Sequence, residues 1–255
     1  MPKTRLDQAL VQLQLAPSRT KAKELILGPG VSLKLKGQSE TVKDPARMVD
    51  LATEIEISLI EDVLLKYVSR AGFKLEGALK HVSLSLHNFV CLDAGQSTGG
   101  FTQVLIEGGA NEVIGFDVGH GQLHAKIKLL SQVKSFEGIN AKEAHLAEEL
   151  KDYLGKVDLI VGDLSFISTK HYFSSLLPFL KSNGHLLFLI KPQFELDRAS
   201  LNKKGVVSDI RDYEKVEQSV KAHAQQLGLK LVDYFESCIV GQDGNREFFI
   251  YAKKI

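Results

Sequence analysis

From position 88 onward the chain alternates short, largely apolar runs with longer segments whose apolar residues recur at helical spacing. The runs Phe89–Leu92, Glu112–Phe116, Val133–Phe136, Val157–Gly162, His185–Ile190, Lys230–Phe235 and Glu247–Ala252 predict strands. Helices are predicted over Gly99–Gly108, Gly121–Leu130, Ala141–Tyr153, Thr169–Leu180 and Asp209–Leu227. Strands that are apolar at consecutive positions belong where helices cover both faces of a sheet. The alternation therefore predicts an α/β, doubly wound sheet. Gln242-Asp243-Gly244-Asn245 joins the last two strands tightly and predicts an antiparallel edge pair. Seven strands ending in such a pair outline a Rossmann-type sheet that differs from that of a dehydrogenase.

Residues 1–57 follow a different pattern. Leu6, Ala9, Leu10 and Leu13 form the stripe of a surface helix, and Pro17-Ser18 offers a turn and a cap for a second helix, Arg19–Leu27. Gly28-Pro29-Gly30 ends it, and Val31–Leu35 and Glu54–Leu59 alternate with the period of a strand. So small an α+β module buries little surface by itself and works best attached to another body. The expected organisation is a head over residues 1–59, a linker over 60–68 and a larger domain over 69–255.

Composition changes the picture little: 255 residues, 44% hydrophobic and 25% charged, describe an ordinary soluble globular chain. The formal charge of +1 means that any nucleic-acid contact must come from a local patch. One exists in the head. Residues 1–36 carry Lys3, Arg5, Arg19, Lys21, Lys23, Lys34 and Lys36 against Asp7 and Glu24. Cations gathered on two helix starts and a strand suit the phosphates of folded RNA, with Arg5, Arg19, Lys21 and Lys23 as the expected contacts. Cys91 and Cys238 stand in no C-x-x-C pair, which excludes a disulfide scaffold and a thiolate zinc cage. His120 and His124 have no evident third ligand, so no metal is expected. The apolar runs, such as Gly184–Ile190, are far short of a membrane span, and no apolar export segment follows the first charges. The expectation is a cytoplasmic protein that does not use the membrane.

The first strand of the larger domain runs into Asp93-Ala94-Gly95-Gln96-Ser97-Thr98-Gly99-Gly100. A glycine-rich turn between a buried strand and a helix lets the backbone approach a ligand closely. Its G-x-x-x-G-G spacing is not that of a dinucleotide pyrophosphate site. Asp93 stands where it meets a cationic amino group, and Asp117 closes the next strand where an acid binds ribose hydroxyls. An anionic loop beside a glycine bed favours S-adenosylmethionine over NAD. Gly95, Ser97, Thr98 and Gly99 are its expected cradle, with Asn140, after the third strand, bordering the adenine.

Four polar residues stand where a buried apolar role fails. Lys74 precedes the first strand of the sheet, Asp163 ends the fourth, Lys191 ends the fifth and Glu247 starts the last. The carboxyl ends of parallel strands form the ligand crevice, and an antiparallel last strand brings its amino end to the same edge. All four are therefore expected on one rim.

The head, through Arg5-Leu6-Asp7, Arg19-x-Lys21-Ala22 and Gly30-Val31, resembles an S4 RNA-binding domain, although Leu35-Lys36-Gly37 stands where Asn-Gly is usual. The larger domain resembles the FtsJ-type 2′-O-ribose methyltransferases. The residues that carry this resemblance are Ser69-Arg70-Ala71-Gly72-Phe73-Lys74, the Asp93 loop, Asp163-Leu164-Ser165-Phe166, Lys191-Pro192-Gln193-Phe194-Glu195 and Arg246-Glu247-Phe248-Phe249-Ile250. It implies that Lys74, Asp163, Lys191 and Glu247 are the catalytic tetrad. With both parts together the chain resembles the TlyA family of ribosomal RNA cytidine 2′-O-methyltransferases, often labelled haemolysins. Gln96 stands where that family usually has Ala, and Asn202-Lys203-Lys204 replaces a more glycine-rich stretch.

The resemblance implies removal of a proton from a ribose hydroxyl, and a lysine serves there only where burial or a neighbouring cation favours its neutral form. Lys191 is the candidate base, with Asp163 and Glu247 orienting the lysines and the ribose. Lys203 and Lys204, beyond the fifth strand, are placed to clamp the RNA backbone, and ribosomal RNA is the expected partner. Two other classes stand beside this one: an RNA-binding assembly protein with a vestigial enzyme body, and a haemolysin.

Overall fold

The computed structural model describes every residue except 1, 2, 17, 28, 29, 36, 37, 52–54, 60–65, 242 and 243. The turn at Pro17, the stop at Gly28-Pro29, the Lys36-Gly37 pair, Glu54, most of the expected linker and Gln242-Asp243 lie outside the described residues. The chain divides into two compact units, Met1–Lys66 and Tyr67–Ile255.

In the first unit β1 (Thr4–Arg5) leads into α1 (Leu6–Gln12), followed by α2 (Arg19–Leu27), β2 (Val31–Leu35), β3 (Gln38–Val42), β4 (Met48–Val49) and β5 (Ile55–Leu59). The order β3-β2-β5 forms an antiparallel sheet, and β1 pairs with β4. The sequence pattern missed β3, whose Gln38-Ser39-Glu40-Thr41 is polar at four successive positions. Leu6, Leu10, Leu25, Ile26 and Val31 are fully buried and make the small core.

The second unit is built on seven strands: β6 (Val90–Ala94), β7 (Glu112–Asp117), β8 (Val133–Glu137), β9 (Val157–Gly162), β10 (Leu180–Ile190), β11 (Leu229–Glu236) and β12 (Phe248–Lys254). Their order is β11-β12-β10-β9-β6-β7-β8, with β12 antiparallel to both neighbours and the other pairings parallel. The seven expected strands are present with shifted ends: the first begins at Val90 and includes Asp93, and the fifth begins at Leu180. Neighbouring residues of one strand pack on opposite faces. Leu92, Ile114, Ile160 and Phe188 join the core of one face, while Cys91, Val113, Val161 and Leu187 join the other. That double burial is why these strands are apolar throughout.

Three expected helices are corrected. Over Gly121–Leu130 only α5 (Ala125–Lys128) forms: Gly121 has φ +65°, outside the helical region, and His124 caps the short helix by accepting from Lys126 N at Nδ1. Ala141–Tyr153 is two 3₁₀ segments, Ala144–Leu146 and Glu148–Tyr153. There Ser175 Oγ accepts from His145 N, the N–H that a helix from Ala141 would give to the Ala141 carbonyl. Thr169–Leu180 is broken into 3₁₀ turns around α6 (Phe173–Leu176), with Pro178 inside the last. The remaining helices are α3 (Ala71–Val82), which the sequence reading did not identify, α4 (Gly100–Glu107), α7 (Pro192–Glu195) and α8 (Ile210–Gln226).

Candidate active site

Strand register brings three of the four expected residues, Asp163, Lys191 and Glu247, to one edge of the sheet. Ile190 pairs with Phe248 across β10 and β12, so the next positions outward are Lys191 and Glu247. Ala94 pairs with Gly162 across β6 and β9, so Asp163 emerges beside Gly95. Lys74, on the second turn of α3, completes the group. Lys74 Nζ lies 2.6 Å from Glu247 Oε2 and 3.7 Å from Asp163 Oδ2, while Lys191 Nζ lies 2.6 Å from Asp163 Oδ1. Lys191 Nζ also donates to Ser165 Oγ at 2.7 Å. All four side chains are largely buried, and their charges alternate in sign.

Burial alone would raise the Asp163 carboxyl, but Lys74 and Lys191 hold it below its usual value. At Glu247 burial wins over Lys74, and the carboxyl is raised. One acid of the tetrad is thus firmly anionic, and the other is poised closer to its protonated form.

The glycine loop lies beside this group. Gly95 has φ +81°, and a Cβ there would approach Leu164 Cδ2 to 2.7 Å, so glycine answers both the turn and the close packing. Ser97 and Thr98 continue the loop. Ser97 N donates to Asp117 Oδ2 and Gly119 N to Asp117 Oδ1, so Asp117 ties the loop to the end of β7. Gly95, Asp117, Asn140 and Ser165 line one cleft with Phe116 and Ile139. Gly99 precedes α4, buried against Leu123 and Ile127 rather than open to that cleft. Asp93 is 1% exposed within β6: its Oδ2 accepts from Thr102 Oγ1, and its Oδ1 has no hydrogen-bond partner among the described residues. A buried carboxylate oxygen without a donor, an acid at the end of β7 and a glycine cradle fit a cofactor that carries a cationic amino group and a ribose.

Gln96 is turned away from the cleft, buried and bonded to Thr102 and Ser135. Two features escaped the sequence reading. Phe166 sits next to Ser165 with φ +64° and 89% exposure, its ring 5.1 Å from that of Phe194. Glu195 accepts from Ser168 Oγ and Thr169 N, joining the segments that follow Asp163 and Lys191. An aromatic at a left-handed position has no sequence signal of its own.

Among the expected RNA contacts, Lys203 and Lys204 lie exposed in a turn held by Asn202, and Asn245 binds the same loop through Val207 N and Gly205 O. In the first unit Arg5 and Arg19 both pair with the buried Asp7, at 3.1 and 3.0 Å. Lys21 is mostly buried beside Glu24, and Lys23 is exposed. Asp7, which the sequence shows only as a negative charge among the cations, is therefore a buried anchor for two of the arginines. No helix among the described residues is long and apolar enough to cross a membrane.

A central glycine loop flanked by an alternating lysine–carboxylate cluster, on a sheet with one reversed strand, defines a Rossmann-type S-adenosylmethionine-dependent methyltransferase. The FtsJ-like methyltransferase family pattern matches residues 67–254. A Mycobacterium tuberculosis protein named 16S/23S rRNA (cytidine-2′-O)-methyltransferase TlyA is 36% identical over 251 residues, 98% of this chain and 90% of its own length. Hemolysin A of Brachyspira hyodysenteriae is 35% identical over 97% of this chain and 98% of its own. A solved structure from Streptococcus thermophilus, labelled a hemolysin, matches with a TM-score of 0.74 and 34% identity, covering 100% of this chain and 89% of that one. The chain belongs to the FtsJ-like methyltransferases, in their TlyA group.

Proposed function

We propose that this chain methylates the 2′-hydroxyl of a cytidine ribose in ribosomal RNA, using S-adenosylmethionine. The observation that carries the reading is the tetrad: two ammonium and two carboxylate groups gathered within ion-pair distance beside the glycine loop. The cofactor supplies a methyl group on a sulfonium. Asp93 and Asp117 would hold its cationic and ribose parts, and the cleft at Asn140 would receive its base. Lys191, ion-paired to Asp163 at rest, must first give its own proton to solvent before Nζ can take the proton of the ribose hydroxyl. Asp163 fixes Lys191, and the Lys74–Glu247 pair fixes the opposite side, so alignment of the hydroxyl supplies much of the rate.

The exposed Phe166 ring offers a π-face to an unstacked nucleobase, and Lys203 and Lys204 offer phosphate contacts. In this reading the first unit is an S4-like RNA-binding module over residues 1–59, and the enzyme body covers 69–255. Catalysis takes place away from any membrane, in the cytoplasm where ribosomes are made. The test is transfer of labelled methyl from the cofactor to ribosomal RNA from cells lacking this gene. Incorporation by the wild type supports the reading, and none, from folded protein that binds the cofactor, refutes it.

A further inference from the structure

Beneath the glycine loop runs a file of four polar side chains. Ser135 Oγ donates to Gln96 Oε1 at 2.5 Å, Gln96 Nε2 donates to Thr102 Oγ1 at 2.8 Å, and Thr102 Oγ1 donates to Asp93 Oδ2 at 2.7 Å. Gln96, Thr102 and Asp93 are all buried. Valence fixes the direction of the file. An amide oxygen only accepts and an amide nitrogen only donates. The Thr102 oxygen, already accepting from Gln96, keeps its single proton for Asp93. The site is shaped for this side chain: the Gln96 amide lies over Gly115 of β7, in the space that any Cβ would take. Asp93 is thus gripped at one oxygen and left open at the other.

We propose that Gln96 is a positioning residue which, through Thr102, orients the Asp93 carboxylate and sets the pH range over which it accepts the cationic amino group of the cofactor. The inference rests on the S-adenosylmethionine reading above.

Burial pushes the Asp93 carboxyl up to about 7; the Thr102 hydroxyl opposes the rise, and Asp163 and Asp117 add to it. Cys91, on the same strand, is itself raised by burial and stays a neutral thiol near neutral pH. Only the anionic carboxylate attracts a cation, so affinity is greatest where that carboxylate is ionised and the cofactor's amino group is still protonated, and it falls as pH drops through the carboxyl's range. Without the Gln96 amide, Thr102 is free to turn its proton elsewhere. Asp93 then loses its hydroxyl donor and keeps only the Thr102 backbone one, so its carboxyl rises further.

Calorimetric titration of S-adenosylmethionine between about pH 5 and about pH 9 tests this with wild type, Gln96→Met, Thr102→Val and the double variant. Gln96→Met retains the length and deletes both hydrogen bonds. The expected result is unchanged affinity at the alkaline end. At the acid end affinity falls about tenfold for each pH unit of upward shift. Thr102→Val should show the same displacement, and the double variant no more than Thr102→Val alone, because both act through one bond. Proton release on binding, measured in two buffers of different ionisation enthalpy, should move with it. Equal weakening at every pH, an unmoved profile, or additive shifts would overturn the proposal. A wild type that binds no cofactor at any pH would bring down the cofactor reading and this inference together, whereas normal binding with an unmoved profile defeats this inference alone.

Discussion

Lys74 Nζ stands 2.6 Å from Glu247 Oε2, with the two side chains 11% and 4% exposed. The pair links the second turn of α3 to the start of β12, and only the fold brings them together. Removing one member of a buried pair leaves the other uncompensated, at a cost of about 3–5 kcal/mol. Lys74→Met and Glu247→Leu should each destabilise by that order in urea, and the double variant by clearly less than their sum. The cost of Lys74→Met should shrink as pH falls, because Glu247, already raised by burial, then takes up a proton. Additive costs with no pH dependence would contradict the pairing.

Lys191→Ala should lower methyl transfer by about 10²–10⁴-fold, the scale of a lost general base, and change cofactor affinity little. Single-turnover transfer and calorimetry on the same preparation separate the two. Loss of cofactor affinity in step with transfer would move Lys191 out of the base role.

The stability of the cofactor-free protein should carry two opposite pH signatures. Asp93, raised from 3.8 to about 7 when folded, favours the folded state at acid pH, and that contribution is lost as pH rises towards about 7. Asp163, lowered when folded, contributes stability above its unfolded value that is lost as pH falls through its folded one. Asp93→Asn should therefore remove the decline in melting temperature approaching neutrality while weakening cofactor binding. A wild-type melting temperature that is flat from about pH 5 to about pH 8 would contradict the assignment.

In the first unit, Asp7 accepts from both Arg5 and Arg19, with its carboxyl held at about 2 chiefly by the Arg5 hydrogen bond. Asp7→Asn should loosen this unit, read as faster amide exchange in α1 and α2. Lys23→Ala should leave exchange unchanged and reduce the salt slope of RNA binding by about one. The reverse pattern would show that Asp7 is not the anchor.

Much of the site was legible because strand ends leave a strong signal: an apolar run that stops at a charge. Asp163 and Lys191 each follow such a run, and Glu247 precedes one. Lys74 was legible by motif alone, since its helix carries Gly72 in the first turn, which resembles loop sequence. That glycine is there because a Cβ would meet the Tyr67 ring at 2.5 Å. The helix over 121–130 was misread because Gly121 takes a left-handed φ and His124 caps the chain only there, and that over 141–153 because Ser175, distant in sequence, takes the His145 N–H that a local pattern assigns to the helix. The Asp7 ion pairs were hidden likewise: composition counts a charge without showing that its partners are adjacent.

The most direct test is the identity of the product. Ribosomal RNA from cells lacking this gene, incubated with the purified protein and S-adenosylmethionine, is digested to nucleosides and analysed by mass spectrometry, with Lys191→Ala in parallel. A gain of 2′-O-methylcytidine with the wild type, and initial-rate product about a hundredfold or more lower with Lys191→Ala, is the predicted result. Methyl found on a base instead, or equal product from the variant, would contradict it.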